Sequence, residues 1–344
     1  MRAIIGSILL SFLFGCGPAL AEAGRVGEIR ERLTSANKWR DHVMVVAHRA
    51  GGLQARKSRF PENSRAALAD AITTGAEMVE IDVQKSSDGT YVVMHDTWLD
   101  RTTDCRGQVA RRTLAELRTC RLVVEGSGIP TDEAVPTLAE YLDAARGRIL
   151  VNIDNKLAPG ELVGMTQLAE RLGLADHVVV KLNLWNEERI AEAHRLIGLM
   201  PRGVTFMPIV ADDAVRDPAL LERVASAVSA DAVELIAWHG EGQPMTPDGG
   251  PLFGTRARAV AARGGWHLWV NTYAIVNKSA GMLAGGRGDQ LAVEADLPDE
   301  AFGFWVDRGA TIIQTDEPSA AIRWLDANDY RRPYASGAQQ AAAR

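Results

Sequence analysis

What this sequence lacks narrows it first. It has no large excess of one charge: 38 Lys and Arg against 44 Asp and Glu leave a net −6 at pH 7. So mild an acidity argues against a surface built for nucleic acid. Beyond residue 21 no apolar run is long enough to cross a bilayer, so stable membrane insertion is not expected. Cysteine is scarce, with three in 344 residues. No glycine-rich turn follows the first buried strand, Val43 to Ala47. That counts against an open doubly wound sheet, which usually carries such a phosphate-binding turn there.

The ends of the chain read as separate from the fold. Arg2 is a minimal basic start, Ile4 to Phe14 is a short apolar run, and Ala19-Leu20-Ala21 is a small-x-small cleavage site. Residues 1–21 are therefore read as a secretory signal peptide, which places the mature chain in the periplasm or outside the cell. Arg2 is the only charge removed, so the net charge becomes −7. A competing reading takes Leu13-Phe14-Gly15-Cys16 as a lipoprotein signal, though Phe14 is bulky for it. Cys105 and Cys120, fifteen apart, are then a plausible disulfide in an exported protein. Glu22 to Lys38 reads as a charged helical lead-in rather than core, and 331–344 as a disordered tail.

Between the ends, 40–330 repeats one pattern. Buried strands are expected at Val43–Ala47, Met78–Val83, Arg148–Asn155, His177–Leu182, Val204–Val210, Ala232–Ile236, Trp266–Asn271 and Thr311–Thr315. Helical runs such as Leu162–Leu172, Glu187–Leu199 and Pro218–Val228 lie between them, and Asn63 or Ser64 is a natural N-cap for another from Arg65 to Thr74. Eight β-then-α units predict a (β/α)8 TIM barrel. Thr97 to Tyr141 does not fit the repeat and is read as an insertion after the second strand, with a helical patch at Thr113–Arg118.

One stretch organises the rest: Glu77 to Asp96, EMVEIDVQKSSDGTYVVMHD. Glu80 and Asp82 alternate with apolar residues, so a strand aims both carboxylates the same way. Two crowded carboxylates repel unless a cation, a proton or a basic side chain joins them. Ser86 to Gly89 reads as a tight turn, and a strand from Tyr91 to Met94 returns His95-Asp96 to the same place. A hard cation between the acids is the simplest reason for the grouping. His48, Glu80, Asp82, Asp154, Lys156 and Asp316 all fall at the carboxyl ends of four strands, where barrel active sites form.

These residues resemble the glycerophosphodiester phosphodiesterase family. The matching stretches are His48-Arg49, Pro61 to Ser64, Glu80 to Val83, Ser87 to Gly89, His95-Asp96, Leu99 to Thr103, Ile129 to Leu138, Asn152 to Lys156, and Thr315 to Pro318. The resemblance implies a barrel binding one divalent cation, Mg²⁺ or Ca²⁺, through Glu80, Asp82 and Asp154. It implies His48 and His95 as the acid–base pair, with His48 favoured as base and His95 as acid. Imidazole suits both tasks near neutral pH. Arg49 and Lys156 would hold the phosphate. The implied reaction is hydrolysis of a small phosphodiester to an alcohol and glycerol 3-phosphate, with water or a substrate hydroxyl as nucleophile. Glu62 and Asn63 are expected to fix the first loop, and Asp316 to brace the site from behind.

The chain also departs from the family's pattern. Asp154 stands where the family more often has Glu, and Ala50 where it usually has Gly. Asn271-Thr272 replaces a usual Trp-Thr pair, so an aromatic wall is expected to be missing and Asn271 to line the pocket. Lys181 ends its strand with no family counterpart and is a second possible pocket residue. Trp238-His239 and Gly240–Gly254 follow the sixth strand and either roof the pocket or form a surface loop. The alternatives are a lysophospholipase-D-like or other phosphodiesterase with a different alcohol group, and a non-catalytic binder on the same scaffold.

Overall fold

Eight short runs rich in Val, Ile and Leu pair side by side in parallel and close on themselves. They are β1 (Met44–Ala47), β2 (Met78–Lys85), β3 (Leu150–Asn155), β4 (Val178–Asn183), β5 (Thr205–Ala211), β6 (Ala232–Ile236), β7 (His267–Asn271) and β8 (Ala310–Thr315). The computed structural model describes residues 24–51, 53–54, 57–240, 242–274 and 283–335. The leader expected at 1–21, with Cys16, lies outside them. Closure is set by register: Met44 to Ala47 pair with Ile312 to Thr315 on one side, while Val46 and Ala47 pair with Met78 and Val79 on the other. The fold is therefore a closed (β/α)8 barrel, and the expected strand ends are off by no more than two residues.

Helices cover the outside, and Ser64, Thr137, Asn186 and Asp217 cap the starts of four of them. The helix Arg65–Thr74 begins at Ser64, whose hydroxyl accepts from the Ala67 N–H, and stops at Gly75 in the left-handed region. Ser64, and not Asn63, is thus the cap. The helix Leu138–Ala145 starts with a reciprocal Thr137–Glu140 capping box. The expected insertion boundary at Tyr141 falls inside that helix, so the insertion ends earlier. The insertion itself is ordered around a small core of Val92, Met94, Leu99, Val109, Leu117, Leu122 and Val135. It contains a hairpin, Arg121–Val124 with Ile129–Ala134, and the Cys105–Cys120 disulfide.

Both expectations about the ends need correction. The charged lead-in is the helix Arg25–Thr34, and its Val26, Ile29 and Leu33 are buried. They form one cluster with Met44, Met78, Leu150, Ala232, Trp269 and Ile312, so the helix plugs the N-terminal end of the barrel. Fully burying an aliphatic side chain is worth about 1.5–3 kcal/mol, which makes this helix part of the core. The first residues of the supposed tail are docked. Arg331 pairs with the buried Glu77 at 2.9 Å, and Tyr334 donates to the other Glu77 oxygen at 3.1 Å. The rest of the tail, 336–344, lies outside the described residues.

Burial alone would raise the pKa of Glu77. The Arg331 charge, with help from His42, outweighs it and holds this carboxyl well below the usual range. Removing one partner of a buried ion pair typically costs about 3–5 kcal/mol. Arg331→Ala should lose stability on that scale at pH 7, read from urea midpoints. Without Arg331, Glu77 is held down less, so the variant loses less stability than the parent as the pH falls through the carboxylate range. The gap between the two proteins should therefore narrow at pH 4. An equal gap at both pH values would show that Glu77 is not the group Arg331 serves.

Candidate active site

At the C-terminal end of the barrel the inward-facing positions turn from apolar to charged. Asp82 on β2 lies directly beside Asp154 on β3 in register, and Glu80 sits one inward position below Asp82. Oxygens of Glu80, Asp82 and Asp154 all come within 4.8 Å of one another. Three hard oxygen donors at that spacing suit Mg²⁺ or Ca²⁺, so the residues present fit such an ion. The Lys156 ammonium lies 3.0 Å from Asp82 and 2.8 Å from Asp154. Burial would raise Asp82, but Lys156, then His95 and Arg49, hold it far below the usual range. Burial, and then the charge of Asp82, push Glu80 up.

The histidines arrive from different strands. His48 closes β1. The antiparallel pairing of Tyr91–Val93 with β2 returns the chain so that Met94 N–H donates to the Asp82 carbonyl, one residue before His95. Each imidazole is oriented by a carboxylate: His48 Nδ1 lies 2.8 Å from Asp316, and His95 Nδ1 lies 2.7 Å from Asp96. A carboxylate that only accepts leaves Nδ1 carrying the proton in both rings, and His48 Nε2 faces Glu80 at 4.0 Å. Asp316 is itself held by the Ala274 N–H. The brace expected of Asp316 is thus a direct contact with His48.

Arg49 and Ala50 have φ of 50° and 68°, left-handed values uncommon outside glycine. The turn that presents Arg49 therefore explains why a glycine is usual at position 50. Arg49 Nη1 donates to Glu62, while its Nε is buried beside Asp82 without a hydrogen-bond acceptor. Asn63 exchanges hydrogen bonds with Asp82, donating from its amide and accepting the Asp82 N–H. Glu62 and Asn63 thus fix the loop around the site.

The cavity, of about 210 Å³, is lined by His48, Arg49, Glu80, Asp82, His95, Asp154, Lys156 and Lys181 on one side. Asn183, Ile209, Ile236, Trp238, Tyr273 and Leu283 line the other, with Glu234 at the floor beside Lys181. Lys181 is buried between Glu234, 3.3 Å away, and Glu80, 3.6 Å away.

Asn271 does not line the cavity. It lies deeper, donating to Glu234 at 2.7 Å and accepting from Trp269 Nε1 at 2.9 Å. The aromatic wall is not missing either: Tyr273, two residues on, stacks on His48 with ring centroids 3.7 Å apart. Trp238 reaches the cavity from the loop after β6, whereas His239 is not among its lining residues. Glu234 and Tyr273 are the residues sequence reading missed. Glu234 had a signal, a lone acid inside the apolar run Ala232–Ile236.

Fold and site together define a class: a closed (β/α)8 barrel whose strand ends enclose a charged, histidine-bearing cavity. The chain matches the glycerophosphoryl diester phosphodiesterase family over residues 48–241, and a domain family of unknown function over 206–325. It belongs to the glycerophosphoryl diester phosphodiesterase family. An uncharacterized protein of Bacillus subtilis is 32% identical over 165 residues, 46% of this chain and 65% of that relative. Mouse glycerophosphodiester phosphodiesterase 1 is 40% identical over 123 residues, 35% of each chain. The matched stretch thus spans less than two thirds of these relatives. A glycerophosphoryl diester phosphodiesterase structure from Parabacteroides distasonis superposes with a TM-score of 0.63 at 19% identity, covering 91% of this chain and 95% of that one.

The buried position of Asn271 yields an expectation opposite to that of a pocket residue. Asn271→Trp should overpack the barrel and release Glu234, lowering stability by about 1–3 kcal/mol or more. Thermal melting checks this. An unchanged melting temperature would mean the indole finds room in the cavity.

Proposed function

We propose that this protein is a secreted, metal-dependent phosphodiesterase that hydrolyses small glycerophosphodiesters to an alcohol and glycerol 3-phosphate. One observation carries the reading: two imidazoles, each with Nδ1 tied to its own carboxylate, enter the same cavity as the acid trio. Breaking a phosphodiester needs one proton removed from the nucleophile and one delivered to the leaving alkoxide. Two histidines, each oriented through its Nδ1, answer that need. His48 is assigned as base and His95 as acid. Glu80, Asp82 and Asp154 would hold the divalent cation, which when bound polarises a phosphoryl oxygen and offsets charge in the transition state. Arg49, with a buried Nε lacking an acceptor, and Lys156 bind the remaining phosphoryl oxygens.

The cavity supports a small substrate, because 210 Å³ is below the roughly 300–1,000 Å³ typical of pockets for drug-sized ligands. Its mixed wall of Ile209, Ile236, Trp238 and Asn183 suits a compact alcohol group rather than an acyl chain. The names of the family and of the mouse relative favour glycerophosphodiesters. Residues 1–21 support export, and among the described residues no helix is long and apolar enough to cross a membrane.

His48→Ala and His95→Ala should each lower turnover of glycerophosphocholine by about a hundredfold or more. A glycerophosphate ester of p-nitrophenol needs no acid to expel its leaving group, so His95→Ala should recover on it while His48→Ala stays impaired. The reverse pattern would exchange the two roles. Calorimetric titration with Mg²⁺ or Ca²⁺ should show one site in the parent protein and none in Glu80→Gln or Asp82→Asn. Undiminished binding by either variant removes that residue from the metal site.

A further inference from the structure

Arg101 lies outside the barrel, in the insertion, and nothing above gives it a role. Its guanidinium uses every N–H it has. Nε donates to Asp96 Oδ2 at 2.8 Å, and Nη2 donates to Asp96 Oδ1 at 2.9 Å and to Glu62 Oε1 at 2.7 Å. Nη1 donates to Glu62 Oε2 at 2.9 Å and to Glu125 at 3.4 Å. Five donors thus meet five acceptor contacts, the full capacity of the group. Two of those oxygens already serve the site. Asp96 Oδ1 is the atom that orients His95, and Glu62 Oε2 is the atom that holds Arg49.

We propose that Arg101 is a positioning residue that locks the His95 arm and the Arg49 arm to each other through the shared carboxylates Asp96 and Glu62. The proposal rests on the roles given to His95 and Arg49 above. Asp96 neighbours His95 in the chain and is free to turn away from it unless something on its far side holds it. Glu62 comes from a different loop, before the helix Arg65–Thr74. One planar fork spans both carboxylates; an ammonium offers a single nitrogen and spans neither geometry. Arg101 also offsets the repulsion among Asp96, Glu62 and Glu125, three acids brought to one place.

The backbone that carries Arg101 is itself pinned. Leu99 is fully buried in the insertion's core, Thr103 Oγ1 donates back to the Leu99 carbonyl at 2.8 Å, and Cys105 is bridged to Cys120. The insertion is therefore a splint: its own core and disulfide hold Arg101, and Arg101 holds the two arms. This gives the segment 97–137 a task in the chemistry without contact with substrate.

The test is steady-state kinetics on glycerophosphocholine and on the p-nitrophenyl ester with the full chain, Arg101→Ala, Arg101→Lys and His95→Ala. Support residues behind working groups typically contribute about ten- to a hundredfold. Arg101→Ala should lose turnover on that scale and raise KM, and the loss should be smaller for the p-nitrophenyl ester, which needs the His95 arm less. The Arg101 side chain is 36% exposed, so added methylguanidinium should restore part of the activity of Arg101→Ala and none of that of His95→Ala. Arg101→Lys should stay low, and it carries the test if Arg101→Ala does not fold. Turnover within twofold of the parent in Arg101→Lys overturns the proposal. So does an equal loss on both esters with no response to methylguanidinium, which reduces Arg101 to a support of the fold. Full turnover by His95→Ala in the same assay overturns the reading of the site itself.

Discussion

Charge compensation is the constraint on which this structure depends. The mouth of the barrel buries Glu80, Asp82, Glu234 and Asp316 almost completely, with Asp154 beside them. Carboxylates so placed cannot all stay ionised without cations nearby. Arg49, Lys156 and Lys181 supply three, and the fit of the acid trio to a divalent ion supplies the reason for a fourth. The far end of the barrel solves the same problem differently, with Arg331 brought from the end of the chain to Glu77. Each end thus stores its charge in a network, one that opens to a cavity and one sealed by Tyr334 and the helix Arg25–Thr34.

Much of this is legible in the amino-acid sequence. The strands of a buried parallel barrel are continuous apolar runs, so Val43–Ala47 and Ala232–Ile236 announce themselves. Period-two alternation placed Glu80 and Asp82 on one side, and the turn at Ser86–Gly89 returned His95 to them. The Cys105–Cys120 bridge was legible from spacing and the exported reading, and the structure forms it.

The failures share a cause: they concern what packs against what across long sequence distances. Val26, Ile29 and Leu33 share one helix face, but the surrounding charges masked them, and nothing local shows that this face meets the barrel floor. Arg331 looks like a tail residue until Glu77, 254 positions away, is seen to need it. Asn271 reads as a pocket residue because it stands where the family usually has Trp. The alternation that set Trp269 below it also sets Tyr273 above it, where the ring meets His48. The aromatic wall has therefore moved by one layer, and the amide left behind has become an anchor for Glu234.

We propose that this barrel cleaves a phosphodiester with its two braced histidines beside a carboxylate-held cation. Phosphorus NMR of glycerophosphocholine incubated with the protein tests it most directly, since diester and monoester resonate apart. The account predicts steady conversion to glycerol 3-phosphate in Mg²⁺ or Ca²⁺ and none after chelation. An unchanged diester signal with the metal present, or full conversion in chelator, would contradict it.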